Sequence, residues 1–346
     1  MNKRVIIVSL LLLLLIQGVA QATTTRMRVL GGNGLDGIVA DEATDIQLNP
    51  AQLYLIEEDK LFLDSDIFLV SRSDWSRKIT SISPTAVYQL NQENVMGIDL
   101  GWERNSFTED DEKTRDNLMT AQVANAMKVN EALIAGGRVG VQRYSNLYET
   151  EDLETDYSDR EFVLAGGFIY QLDQEVTIDG SLGWNTYGAV NSDHNKVNLF
   201  LRRVQKQGQD QSLVGLMDFN FDDGASRKRI AVGQNTMYED IFLAYSAEWL
   251  NQGDETTIGL HWGAEKEVNE RFTVRAGNYG SYVIFERDNN KNNFSVPRIN
   301  GINLGVEYQY DDLTTIDLAY LPNATLGFGD NSTKELDLEV SITRKF

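Results

Sequence analysis

Residues 334–346 alternate apolar and polar side chains almost without interruption. Leu336, Leu338, Val340, Ile342 and the terminal Phe346 fall on one face, and Glu335, Asp337, Glu339, Ser341, Thr343 and Lys345 on the other. A period of two predicts a strand with one apolar and one wet side. Arg344 breaks the apolar face, but its long stem can carry the charge to water. The same pattern recurs upstream. Met96/Ile98/Leu100/Trp102, Phe162/Leu164/Phe168/Tyr170, Val176/Ile178/Leu182/Trp184, Ile241/Leu243/Tyr245/Ala247/Trp249, Ile258/Leu260/Trp262/Ala264 and Ile302/Leu304/Val306/Tyr308/Tyr310 each share a face. One alternating run is weak; a series from residue 60 to the C-terminus predicts an antiparallel meander.

The connections carry a second rhythm. Short turns are expected near 91–94, 128–131, 172–174, 207–209, 268–269 and 311–312, with longer polar loops near 105–116, 145–158, 188–195, 287–297 and 322–333. Short turns on one side and long loops on the other are the arrangement of transmembrane barrels. The fold class read from the chain is all-β, a transmembrane antiparallel β-barrel of about fourteen strands. Sixteen stays open because residues 222–240 have room for an extra strand at 227–232. The four prolines, Pro50, Pro84, Pro297 and Pro322, avoid the strongest alternating runs, where each would delete a ladder hydrogen bond. Trp102, Trp184, Trp249 and Trp262 suit interfacial belts. A soluble β-sandwich would explain neither the loop asymmetry nor the apolar strand ending on Phe346, the residue expected to serve as the outer-membrane insertion signal.

Residues 1–22 read as a secretory signal peptide, with a basic start, an apolar core from Val5 to Ile16 and small residues at Ala20 and Ala22. The core is shorter than the ~20 residues of a membrane span. With no cysteine there is no disulfide, lipidation site or thiolate metal site. A formal charge of −21 excludes nucleic acid as a natural partner. No zinc-ligand spacing, phosphate loop or dinucleotide fingerprint is present, so no cofactor, metal or enzymatic role is expected. Of the two histidines, His194 lies in a polar loop and His261 points toward the lumen, where a serine and a carboxylate could in principle join it. The plainer reading is a hydrogen-bonded lumenal side chain. The acidic runs at 109–112 and 149–159 lack calcium-loop spacing and read as solvated tips. Acidic inward positions on the last strand would bias an open pore toward cations.

Residues 23–59 do not alternate and form a separate unit ahead of the barrel at 60–346. Asn49, Pro50 and Gln52 have the form of a helix start, with Asn as N-cap, Pro at the first position and Gln at the third. The series Gly37, Ala40-Asp41, Ala43, then Asn49-Pro50-Ala51 and Leu53 resembles the N-terminal hatch of the long-chain fatty-acid transporter (FadL/TodX) family. The resemblance implies a fourteen-stranded barrel in the outer membrane of a diderm bacterium, plugged by residues 23–59, with Asn49, Pro50 and Ala51 as the hatch motif. It implies passive transport of a small hydrophobic molecule, with outer-membrane lipid, lipopolysaccharide and the barrel assembly machinery as partners. Two other roles stay open: a structural or protein-secretion partner barrel of the same superfamily, and a cation-selective porin.

Overall fold

The computed structural model describes residues 24–346 except 31–33, 72–74, 110–111, 151–153, 188–194, 209, 223–225, 254, 289–290, 294–297, 300–301 and 322–333. Residues 1–22, read as a signal peptide, and His194 lie outside the described residues. One antiparallel sheet closes on itself. Its strands are β1 (Lys60–Ser71), β2 (Trp75–Asn91), β3 (Asn94–Glu109), β4 (Glu112–Lys128), β5 (Leu133–Glu149), β6 (Glu154–Gln171), β7 (Val176–Tyr187) and β8 (Asn195–Lys206). They continue with β9 (Gln211–Phe221), β10 (Arg227–Tyr238), β11 (Ile241–Gln252), β12 (Glu255–Asn269), β13 (Phe272–Asp288), β15 (Thr314–Tyr320) and β16 (Lys334–Lys345). Between β13 and β15 the stave β14 runs in three pieces, Lys291–Asn293, Arg298–Ile299 and Asn303–Asp311, all paired with β13. Closure comes from β16 against β1, from Lys60↔Lys345 to Ser71↔Lys334.

The wall therefore has sixteen staves, the alternative that the sequence left open, and not the fourteen that the family resemblance implied. The difference lies where the pattern was hardest to read. The suspected segment at 227–232 extends to Tyr238 and pairs along β9 and β11. Two of the expected polar loops, 105–116 and 145–158, are hairpin arms whose ladders run on to Glu109↔Glu112 and Glu149↔Glu154. There both faces meet water, so the apolar alternation stops while the backbone pairing does not. The strands β2–β6 reach 16–18 residues, well beyond the ~9–11 needed to cross a bilayer. Pro84 sits inside β2 opposite Leu63 of β1, and the β2–β3 register skips positions 83 and 84. A proline there leaves a ladder gap on one side only.

The outside of the wall carries the large apolar side chains, among them Leu100, Val141, Phe162, Leu182, Val232, Leu260, Leu304 and Leu318, all exposed. So broad an apolar surface fits hydrocarbon, not water. Trp184 and Trp249 sit on the long-loop side, and Tyr88, Tyr170, Tyr238 and Tyr310 near the short turns, as interfacial girdles do. No described helix is long and apolar enough to cross a membrane. The polar residues of each strand point inward, where residues 24–30 and 34–56 meet them.

Candidate functional site

Two helices and a 3-10 turn fill the lumen: α1 (Thr24–Leu30), α2 (Glu42–Leu48) and the 3-10 helix Pro50–Leu55. The sequence reading had a helix beginning at Asn49 and missed α1 and α2. A local signal for α2 exists: Asp41 caps it by accepting from the Thr44 amide at 3.1 Å. The Asn49–Pro50–Ala51 motif acts as expected at its own level, Asn49 Oδ1 accepting from Ala51 N at 3.0 Å with Pro50 in the first turn. Its Nδ2 also reaches the wall, donating to Phe168 O at 2.9 Å and Asp179 Oδ1 at 3.2 Å. A side chain at Gly167 would overlap Asn49, and one at Gly136 would overlap the Pro50–Ala51 backbone. Inward glycines thus let the motif lie directly on the sheet. Leu53 and Ile56, with Ala43 and Ile46, then bury against Phe62, Val87, Val95 and Ala126 of β1–β4.

The other end of the hatch adds charge to an apolar cluster in which Met27, Leu30, Leu35, Ile38 and Val39 bury against Val214, Leu216, Ala231 and Ala244. Arg202 of β8 donates to Asp45 at 2.7 Å, to Asp179 at 2.8 Å and to the Gly37 carbonyl at 3.2 Å. Arg229 of β10 donates to Glu248 at 2.8 Å and to the carbonyls of Gly34 and Asp36 at 2.8 and 3.0 Å. Arg26 of α1 pairs with Glu265 at 2.9 Å, and Glu265 in turn pairs with Arg275, which also binds Glu307 and Asp317. Arg28 takes Asp66 and Asp337 at 3.1 Å each and also Glu339. The acidic face of the last strand, read as a cation bias, is thus paired with the hatch at Asp337 and Glu339. Within the hatch, burial raises the Asp41 carboxyl to about 7, although Arg26 lies 3.7 Å away. Burial likewise raises Asp36 to about 6 and pushes Asp45 up. None of these arginines stood out in the sequence. The available signal was an arginine at an inward position of an alternating strand, as at Arg202 and Arg229.

His261 does point into the lumen, and it is buried. Its Nε2 lies 3.1 Å from Glu248 Oε1, and Ser246 is its direct partner across β11–β12. The three residue types of a hydrolytic triad meet, but the hatch covers them. Ser246 Oγ donates to the Gly34 carbonyl at 2.9 Å, and the imidazole occupies the space that a Cβ at Gly34 would need. The group grips the Gly34 turn and presents no open nucleophile. Phe346 is exposed at the short-turn rim, its N–H donating to Asp59 O at 3.1 Å and the Arg344 guanidinium 5.6 Å above its ring.

The hatch separates two cavities. The one on the long-loop side has a volume of about 390 Å³ and is lined by hydroxyls, amides and carboxylates, including Ser81, Ser83, Thr120, Gln122, Gln142 and Asp99. The one on the short-turn side, about 680 Å³, mixes Ile38, Ile56, Ile169, Val204 and Val214 with the charged clamps. Aliphatic side chains larger than alanine line the short-turn cavity alone of these two.

The fold is similar to that of the FadL- and TodX-type channels. The Pseudomonas putida toluene transporter TodX matches with a TM-score of 0.54 at 14% identity, covering 95% of this chain and 99% of its own. A Pseudomonas aeruginosa FadL homologue gives 0.54 at 12% identity, covering 96% and 100%. The Ralstonia pickettii toluene transporter TbuX gives 0.53 at 15%, covering 94% and 98%. At such identities the likeness is one of architecture. No family model and no curated protein matches the chain.

Proposed function

We propose that this chain is a hatch-plugged channel of the bacterial outer membrane that passes a small hydrophobic molecule by diffusion. The observation that carries the reading is the hatch itself, lodged between a polar outer cavity and a larger, partly apolar inner one. The likeness to toluene transporters supports the class of solute. Ion-pair clamps at one end of the hatch supply a fixture that can open without unfolding the wall. Phe346, exposed at the rim, serves in this reading as the signal read by the barrel assembly machinery. Uptake of a radiolabelled monoaromatic hydrocarbon by cells carrying or lacking the chain tests the proposal. Faster uptake with the chain, and faster still when Arg202 is replaced, supports it; identical uptake at limiting solute sinks it.

The outer cavity favours a second reading. Its Ser, Thr and Gln side chains and its carboxylates suit a hydrogen-bonding or cationic solute. Reversal-potential measurements in a planar bilayer separate the two, because a porin passes small cations at rest and a plugged hydrocarbon channel does not.

A further inference from the structure

We infer that the outer face of the tall wall β2–β6 carries a binding site for the phosphorylated headgroup of lipopolysaccharide in the external leaflet. Just beyond the apolar band the outward positions turn basic. Arg104 follows Trp102 on β3, Arg143 follows Val141 on β5, and Arg160 precedes Phe162 on β6, each by one outward step. Lys78 on β2 and Lys113 and Arg115 on β4 point the same way. Five of the six are exposed and Arg115 is half-buried. The chain has 52 acidic against 31 basic residues, so six cations on one side of one rim are not a sample of its average surface.

Two further observations point to an anionic occupant. Arg143 and Arg160 are direct partners across β5–β6, and like charges in that position repel. Among the described residues, none of these six side chains has an ion pair, a side-chain hydrogen bond or a ring contact, whereas the inward arginines 26, 28, 202, 229 and 275 all do. Of the outward acids of β5 and β6, Glu149 is the direct partner of Lys113 and Asp156 shares the row of Arg115, whereas in the β2–β6 register no outward acid is a partner of Arg104, Arg143 or Arg160, which lie nearer the apolar band. Asn117, Ser145 and Ser158 lie between the cations in register and add neutral donors suited to sugar and phosphate oxygens. Arginine pairs bidentately with phosphate, and a basic cluster at a membrane surface attracts anionic lipid. Acyl chains of the same molecule would lie on Trp102, Val141 and Phe162 directly below.

The site rests on the outer-membrane reading and sharpens it by naming a lipid and a place. The test uses the full chain purified in mild detergent and titrated with lipopolysaccharide, with enzymatically dephosphorylated lipopolysaccharide and with inorganic phosphate. Wild type should bind the phosphorylated lipid most tightly. Replacing Arg104, Arg143 and Arg160 together by Gln should weaken that binding on the order of ten- to hundredfold, with thermal midpoint and hydrocarbon uptake retained. Replacing Arg203 and Arg271, near the short-turn rim, should change nothing. Equal binding of the two lipids, binding of inorganic phosphate as tight as that of the lipid, or an unaffected triple variant would overturn the site. Membrane fractionation distinguishes the two levels. Wild type absent from the outer membrane removes both readings, and wild type present there without phosphate-dependent binding removes this one alone.

Discussion

Both ends of the hatch are packed through apolar side chains, but one adds a set of buried ion pairs. Around Pro50–Leu55 the contacts are apolar and close, with Leu53 and Ile56 buried and the backbone laid against Gly136 and Gly167. Around α1 and the turn at 34–41, Met27, Leu30, Leu35, Ile38 and Val39 bury against β9–β11 in the same way, and arginine–carboxylate pairs to β12 and β16, with Arg202–Asp45 beside them, are added. Apolar burial is insensitive to pH and weakly sensitive to salt, whereas a charged clamp responds to both. The difference makes the α1 end the one that answers to pH and salt.

The strongest way to break that assignment is Arg202→Ala. It leaves Asp45 and Asp179 buried together without their cation, a loss of about 3–5 kcal/mol. The expected result is a conducting barrel with an unchanged strand signal in circular dichroism. Loss of the sheet instead would show that the clamp belongs to the wall. Leu53→Ala attacks the Pro50 end and should cost about 2–5 kcal/mol, read as a lower denaturation midpoint of the hatch that salt does not shift. A salt-dependent midpoint in that variant would blur the division.

A smaller effect is expected from Asn49→Ala, which removes the cap of the 3-10 helix at about 1 kcal/mol. Limited proteolysis near residue 49 should accelerate modestly without opening the pore. The pH response is the finest test. A carboxyl raised from 3.8 to about 7 by burial, as at Asp41, stabilises the docked hatch most while protonated, and that contribution fades as pH rises through 7. Asp36 adds the same sense with its own fading near 6. Conductance in planar bilayers should therefore be higher at pH 8 than at pH 5, and Asp41→Asn should flatten the difference. A steeper response in the Asn variant would rule out Asp41 as a contributor.

Much of the wall was legible because lipid and lumen impose opposite demands on alternate residues. Leu336, Leu338, Val340 and Ile342 announce β16 with no knowledge of their partners. Legibility ended where that contrast ended. Above the bilayer, residues 105–109 and 112–116 are polar apart from Phe107, so a paired hairpin reads as a loop. The Asn49 cap was visible because it is local, made within two residues of its own chain. The arginine clamps were not, since Arg202 and Asp45 stand 157 positions apart and nothing in either neighbourhood names the other.

By itself the sequence determined the class of fold, the inside and outside of the strands that alternate, and the start of a short helix at Asn49. These follow from periodicity and capping, which act over a few residues. Only the tertiary structure decided the sixteen staves, the burial of His261 beneath Gly34, the pairing of the acidic last strand with Arg28, and the gathering of lone basic residues from five strands onto one rim. Each depends on register and closure, which bring distant residues together through the geometry of the whole barrel.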